Sequence, residues 1–342
     1  MKTFIIAEAG VNHNGDINTA IKLVDIAVEA RADAVKFQTF KSEKIVTQNA
    51  PKAKYQVKNT ACYESQLSML KRFELTYDMH KQLISYCTAK NIIFLSTPFD
   101  NESADMLDNL GVDIFKISSA EITNKPLIQH IARKIKPIIL STGMSYIGEV
   151  EKSVQWINDI WNTCPTKPQL TLLHCVSNYP SDVEDTNLLV INTMQKAFGL
   201  PVGYSDHTIG FEISLAAVAV GAKVIEKHFT IDRQMSGPDH NASLEPDTLK
   251  AMVMAIRNIE TAMGDGIKRP MQAELETRDI VRKSLVASRD IQPGQQISSD
   301  DLVTKRPGNG ILPEFQDVVI GMIASCHIAE DSVLRWEDLR HA

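Results

Sequence analysis

The feature that most constrains this chain is an alternation. From residue 4 to about 263, a short apolar run ending in polar residues is followed by a longer stretch of helical period, eight times over. The runs are Phe4–Ala7, Ala34–Phe37, Ile92–Leu95, Ile114–Ile117, Pro137–Leu140, Leu170–Leu173, Val202–Gly203 and Val224–Ile225, with helical patterns such as Ile17–Ala30, Tyr77–Ala89, Glu149–Trp161 and Phe211–Val220 between them. Such alternation predicts an α/β chain whose parallel sheet is covered by helices. Eight units in about 260 residues predict a closed (β/α)8 TIM barrel over residues 1–264. The dinucleotide-binding alternative lacks its fingerprint, because Glu8-Ala9-Gly10-Val11-Asn12-His13-Asn14-Gly15 has no G-x-G-x-x-G spacing. One irregularity stands out, the long polar insert Ser42–Gln66 after the second run. Loops of that length are uncommon unless they cover a site.

Past Gly264 the character changes. Residues 265–282 are highly charged and contain Pro270, which reads as a linker with a helical portion. Residues 283–342 hold short strand-like runs, Ser284–Ala287 and Leu302–Lys305, and turns around Pro293-Gly294 and Pro307-Gly308. They predict a small β-rich second domain, too small to be strongly stable alone, which is therefore expected to pack on something.

Composition excludes several classes. The 342 residues are 44% hydrophobic and 23% charged, with 36 Lys plus Arg against 42 Asp plus Glu and a net charge of −6. Wholesale disorder, collagen and disulfide scaffolds are ruled out. Without a basic tract, no nucleic-acid partner is expected. No run approaches about 18 apolar residues, so no membrane partner is expected either. The first apolar run stops at Glu8, short of the about 7–15 residues of a secretory signal. Cys62, Cys87, Cys164, Cys175 and Cys326 are scattered and form no C-x-x-C pair, predicting reduced thiols in a cytoplasmic protein.

Barrel enzymes carry their chemistry at the C-terminal ends of the strands. Here nearly every end carries reactive or hydrogen-bonding groups: Glu8 with Asn12-His13-Asn14; Lys36 and Gln38, two apart and on one face; Ser96-Thr97; Lys116, Ser119 and Glu121; Ser141-Thr142; His174, then Ser177 and Tyr179; Ser205-Asp206-His207; and Glu226-Lys227-His228. Taken alone, Asp100 and Asp206 read as caps of the following helices. Lys36 and Lys116 would be largely desolvated inside a barrel, and an unpaired buried ammonium costs several kcal/mol. Either an internal acid such as Glu8 or Glu121 neutralises them, or a bound phosphate or carboxylate does. His207 and His228, on adjacent strands, are either a divalent-metal pair or structural imidazoles. Asp239, in the loop Met235–His240, either meets substrate hydroxyls or simply shapes a turn.

These same blocks resemble the bacterial sialic acid synthase family. The likeness runs in order through Ala7–Gly15, Val35–Lys41, Ser96-Thr97-Pro98-Phe99, Ser141–Met144, Tyr204–Thr208, Glu226–Thr230 and Ser236-Gly237-Pro238-Asp239-His240. The tail from about Ser284, with Lys305-Arg306-Pro307-Gly308-Asn309-Gly310, resembles that family's antifreeze-like (SAF, β-clip) domain. Ala120 and Ser177-Asn178-Tyr179 depart from the usual pattern. The resemblance implies condensation of phosphoenolpyruvate with N-acetylmannosamine, giving N-acetylneuraminate and phosphate, by a domain-swapped homodimer that uses Mn2+ or Mg2+. It assigns the metal to His207 and His228. Phosphoenolpyruvate falls to Lys36, Thr97, Lys116, Ser119, Ser141, Ser177 and Ser205. The sugar falls to Glu8, Gln38, Glu121, Tyr179 and Asp239, with Arg306 of a second copy on the acetamido group. Glu8 and Glu121 are the candidates for handling the attacking water.

The alternative acceptor is 2,4-diacetamido-2,4,6-trideoxy-mannose, which would make the product N,N'-diacetyllegionaminate. A phosphorylated acceptor is disfavoured because no further basic cluster marks a second phosphate. A different class, an ice-binding module on a carrier barrel, needs a flat face poor in charge. The tail's Lys283, Arg289, Asp300, Asp301, Lys305 and Arg306 disfavour it.

Overall fold

Each of the eight apolar runs falls on a strand in a computed structural model that describes residues 2–52, 57 and 64–342. The strands are β1 (Phe4–Gly10), β2 (Ala34–Thr39), β3 (Ile93–Pro98), β4 (Phe115–Ile117), β5 (Ile138–Ser141), β6 (Leu170–Cys175), β7 (Val202–Asp206) and β8 (Val224–His228). They form one sheet in the order β3-β2-β1-β8-β7-β6-β5-β4, and every ladder in it is parallel. The first and last strands are thus neighbours, from Phe4 opposite Val224 to Glu8 opposite His228. That closure makes the sheet a TIM barrel. β3 and β4 lie side by side without a hydrogen-bonded ladder, so the barrel is nearly rather than fully closed.

Helices follow the strands: α1 (Ile17–Glu29), α2 (Tyr77–Ala89), α3 (Asn101–Asn109), α4 (Lys125–Ala132), α5 (Ile147–Trp161), α6 (Val190–Phe198), α7 (Glu212–Ala219) and α8 (Pro246–Ala262). Local sequence starts several of them. The side chains of Asp16, Thr76, Asp100 and Asn124 accept from backbone N–H groups in the first turns of α1 to α4, each contact worth about 1 kcal/mol. Asp100 is the cap expected of it. Asp206 is not. α7 begins only after Phe211, and the Asp206 carboxylate instead accepts from Thr208 and Ser214 and pairs with Lys227 at 3.0 Å, both side chains fully buried.

Side chains alternate along each strand. One set, including Ile5, Val35, Phe115, Leu140, Leu172 and Tyr204, packs outward against the helices. The inward set begins apolar, with Ile6, Ala34, Leu95, Ile139, Leu173 and Val224 filling a separate inner layer. Two residues further along, the same inward face reads Glu8, Lys36, Thr97, Ser141, Cys175 and Glu226, all lining a cavity. Each strand therefore contributes first to packing and then to chemistry.

Of the insert Ser42–Gln66, residues 53–56 and 58–63, Cys62 among them, lie outside the described residues. Short helices Ser42–Ile45 and Gln66–Lys71 flank that stretch. The remaining cysteines are free thiols, and no helix among the described residues is long and apolar enough to cross a membrane.

Contacts divide the chain into two units, Met1–Gly264 and Asp265–Ala342. The second is a small β structure. β9 (Ser284–Ala287) pairs antiparallel with β10 (Leu302–Lys305), and β11 (Ile323–Ala324) with β12 (Leu339–Arg340), around a core that includes Leu285, Ile291, Ile297 and Leu334. A helix, Leu275–Val281, precedes β9.

Gly203 supplies the inner layer's tightest approach. A Cβ there would lie 2.4 Å from the Val224 carbonyl oxygen and 2.7 Å from Leu173 Cδ2. We expect Gly203→Ala to destabilise the barrel by about 1–3 kcal/mol through overpacking, lowering the melting temperature by several degrees in calorimetry. An unchanged melting temperature would contradict this packing.

Candidate active site

The sheet register assembles the centre of the cavity. Glu8 on β1 lies opposite Lys36 on β2 and opposite His228 on β8, and Ser205 on β7 lies opposite Glu226. The resulting cavity, about 440 Å3, opens at the C-terminal ends of the strands.

Four ionisable side chains, none more than 5% exposed, form its floor. Lys36 Nζ lies 2.9 Å from Glu8 Oε2 and 3.6 Å from Glu226 Oε2, and donates to Thr97 Oγ1 at 3.0 Å. Lys116 Nζ lies 3.6 Å from Glu226 Oε1, which also accepts from Ser205 Oγ at 3.0 Å. Internal carboxylates thus stand beside both lysines. Glu8 is one of the expected partners. The other is Glu226 rather than Glu121, which accepts instead from Asn124 Nδ2.

The two acids differ in character. Burial pushes Glu8 up to about 7, with Lys36 only partly opposing it. Burial also works to raise Glu226, but Lys116, Lys36, His228 and the Ser205 hydrogen bond together outweigh it and hold the group down at about 2. The lysines divide as well. Burial would lower Lys36, but Glu226 and Glu8 outweigh it, so the ammonium is raised above its usual range; Lys116, with weaker compensation against burial, is lowered. Glu8 Oε2 and Glu226 Oε2 receive no directed hydrogen bond despite the nearby ammonium. Each remains an acceptor facing a buried space.

Two imidazoles stand beside this floor, their ring centroids 5.6 Å apart. His207 Nδ1 lies 2.6 Å from the Val176 carbonyl oxygen, which can only accept, so Nδ1 carries the proton and Nε2 is left with its lone pair. His228 Nδ1 is buried without a partner. Burial lowers His207 to about 4 and His228 well below its ordinary value, keeping both rings neutral. The Tyr179 ring packs 4.2 Å from that of His207 and edge-on to His228. Gly10, at φ +53°, lets β1 pass close by: a Cβ there would meet His228 Cε1 at 3.3 Å and Glu8 Oε1 at 3.4 Å. Two neutral imidazoles, His228 with an unpartnered Nδ1 and His207 with an Nε2 that Ser205 Oγ approaches at 3.4 Å, suit a divalent metal ion. Among the described residues no third His, Cys, Asp or Glu joins them, so further ligands would come from substrate or water.

Hydroxyls ring the opposite side. Ser119 Oγ accepts from the Gly143 N–H at 3.0 Å and touches Cys175 Sγ at 3.1 Å. A Cβ on Gly143 would lie 2.3 Å from Ser177 Oγ and 2.9 Å from Ser119 Oγ, so only glycine lets these groups converge. Ser141, Gln38, Glu121, Tyr179 and Ser177 also line the cavity.

One candidate falls elsewhere. Asp239 is buried just before the turn His240–Ala242 and is not on the cavity lining. Arg306 is an exposed residue of the second unit. Several strand-end groups are structural. Asn12 Nδ2 donates to the Phe229 carbonyl, His174 Nε2 meets the Thr186 carbonyl, and Lys227 pairs with Asp206 on the outward face. Conversely, Glu226, named only among the strand-end groups, and Cys175 are cavity residues to which the sequence reading gave no role in the site. The signal for Glu226 was present, since it stands two residues before His228 and so shares its face.

Comparison with known proteins identifies the family. The NeuB family model matches residues 23–268, and the SAF domain model residues 282–340. The chain is 52% identical over 334 residues to the N,N'-diacetyllegionaminic acid synthase of Campylobacter jejuni, covering 98% of this chain and 99% of that protein. It is 45% identical over 339 residues to the N,N'-diacetyllegionaminic acid synthase of Legionella pneumophila, covering 99% and 95%. The crystal structure of an N-acetylneuraminic acid synthetase from Leptospira borgpetersenii in complex with citrate matches with a TM-score of 0.70 at 37% identity, covering 81% of this chain and 90% of that one.

Asp239 gives a stability test. Burial, with no opposing partner, raises its carboxyl from 3.8 to about 6. Between those values the unfolded chain has released the proton while the folded protein holds it, so stability falls as pH rises from about 4 to about 6. We expect Asp239→Asn to be more stable than the parent by about 1–3 kcal/mol at pH 7 and by much less at pH 4, measured by urea denaturation. Parallel pH profiles would show that the carboxylate is not strained.

Proposed function

The chain belongs to the NeuB family of phosphoenolpyruvate-condensing synthases, and from that premise we propose that it joins phosphoenolpyruvate to 2,4-diacetamido-2,4,6-trideoxy-mannose. The products would be N,N'-diacetyllegionaminic acid and phosphate. Its two relatives of that name, aligned over nearly the whole chain, support this acceptor over N-acetylmannosamine, the first expectation from sequence. The observation that carries the chemistry is the pairing, in one buried cavity, of two ordered ammonium groups with two neutral imidazoles.

In this reading Lys36 and Lys116 bind the phosphate and carboxylate of phosphoenolpyruvate, with hydroxyl donors from Thr97, Ser119, Ser141, Ser177 and Ser205. Fixed donors in a desolvated site hold the enol near its target, where positioning supplies several kcal/mol. His207 and His228 would hold a divalent ion such as Mn2+ or Mg2+; bound there, it supplies Lewis-acid polarisation of an aldehyde. The enol carbon attacks the acceptor aldehyde, forming the new carbon–carbon bond. Water then adds to the carbon bearing phosphate, and the tetrahedral intermediate expels phosphate by carbon–oxygen cleavage. Glu8 suits the proton transfer from that water: its carboxyl sits near 7 and its Oε2 has no directed donor. Glu121, raised by burial and held by Asn124, is better suited to orienting the acceptor.

Phosphate release measured with each acceptor tests the function. We expect release to require an amino sugar, and kcat/KM for the diacetamido trideoxy sugar to exceed that for N-acetylmannosamine by about tenfold or more. Preference for N-acetylmannosamine would restore the sialic acid reading, and no release with either would sink both. A second prediction concerns Gly143. Gly143→Ala should displace Ser119 and Ser177 and lower kcat/KM for phosphoenolpyruvate by about a hundredfold, as misplacement by about 1 Å does, without unfolding the barrel. A wild-type value would remove these serines from substrate binding.

A further inference from the structure

The cavity wall above β2 and β3 is apolar, and binding of phosphoenolpyruvate does not account for it. Phe40, Ile45, Val46, Leu70 and Phe99 line that side. Phe40 is buried in a small cluster separate from the barrel core, and Ile45, Leu70 and Phe99 pack on it while keeping part of their surface open. The rings of Phe40 and Phe99 meet edge-on at 6.1 Å, a contact that fixes their orientation. The imidazoles stand at the ends of β7 and β8, and the order β3-β2-β1-β8-β7 separates β2 from β8 by two strand spacings, roughly 10 Å. An acceptor whose aldehyde lies at the imidazoles is therefore long enough to set its far end against this wall.

Against these five side chains a sugar hydroxylated at every remaining carbon gains nothing, because hydroxyls set there would lose water without finding partners; the polar lining of the same elements includes Gln38 and Gln66. A 6-deoxy sugar with a 4-acetamido group offers two methyls instead, and each gains by leaving water. We propose that this wall is the acceptor-specificity determinant, receiving the C6 methyl and the acetamido methyl and disfavouring a fully hydroxylated acceptor. The inference deepens the function proposed above and rests on it.

The test uses the whole enzyme and the ratio of kcat/KM for the diacetamido trideoxy sugar to that for N-acetylmannosamine. Because both values come from one preparation, a partly inactive or partly folded sample cancels. Leu70→Gln and, separately, Ile45→Gln should each lower the ratio about tenfold, the scale of one lost methyl contact. Leu70→Met, which keeps apolar volume, should hold it near the wild-type value. Wild-type ratios in both glutamine variants, with the wild type still preferring the trideoxy sugar, would overturn the wall's role and leave the proposed function standing. A wild type that prefers N-acetylmannosamine overturns the function itself, and the wall's role with it.

Discussion

Two lysines and two glutamates inside the barrel set the terms for everything around them. Buried ion pairs rarely stabilise a fold beyond what apolar side chains of the same volume would achieve, because desolvation consumes most of the attraction. Lys36, Lys116, Glu8 and Glu226 are thus poor choices for stability. They make sense as preparation. In the proposed reaction, compensation by the carboxylates would keep the ammonium groups in position before phosphoenolpyruvate arrives, and the two acids are biased in opposite directions, one toward holding a proton and one toward losing it. A site organised in advance need not reorganise when charge develops during the reaction.

The rest of the barrel supports that cluster through a change of character along one face. At β1 the inward residues run Phe4, Ile6, Glu8; at β8 they run Val224, Glu226, His228. The lower layer is packed tightly enough to exclude a methyl group at Gly203. This rigid plug lets charges a few ångströms above it keep fixed distances. The outward face meanwhile carries its own buried pair, Asp206 with Lys227, which fixes the β7–α7 connection immediately beside His207. Cavity-lining and structural polar groups thus alternate residue by residue along Ser205–His207 and Glu226–His228.

Much of this was legible in the sequence, and what was not has physical reasons. Strand and helix periods gave the barrel, and the two-residue spacing of Lys36 and Gln38 correctly put both on the inner face. The neutralising partner of Lys116 was hidden because Glu226 meets it across the barrel interior, a contact between β4 and β8 that no local pattern reports. Asp206 looks like a cap from its position after a strand, yet several residues intervene before α7, and its carboxylate finds the stronger partner Lys227. Asp239 belongs to a long loop, whose path depends on contacts such as that of His240 with Thr230, invisible to a reading of spacing.

The unladdered junction between β3 and β4 has a consequence for how a displacement spreads around the barrel. Backbone hydrogen bonds elsewhere tie each strand to its neighbour in fixed register, so a shift in one is passed on to the next. Here the ladder is missing, although the two strands still lie side by side. Residues carried by β3 and its loop, Phe99 among them, have on that side no backbone ladder to the strand that carries Lys116. A shift at Phe99 is therefore not relayed through backbone hydrogen bonds to Lys116, whereas Thr97 on the same strand still ties that flank of the mouth to Lys36.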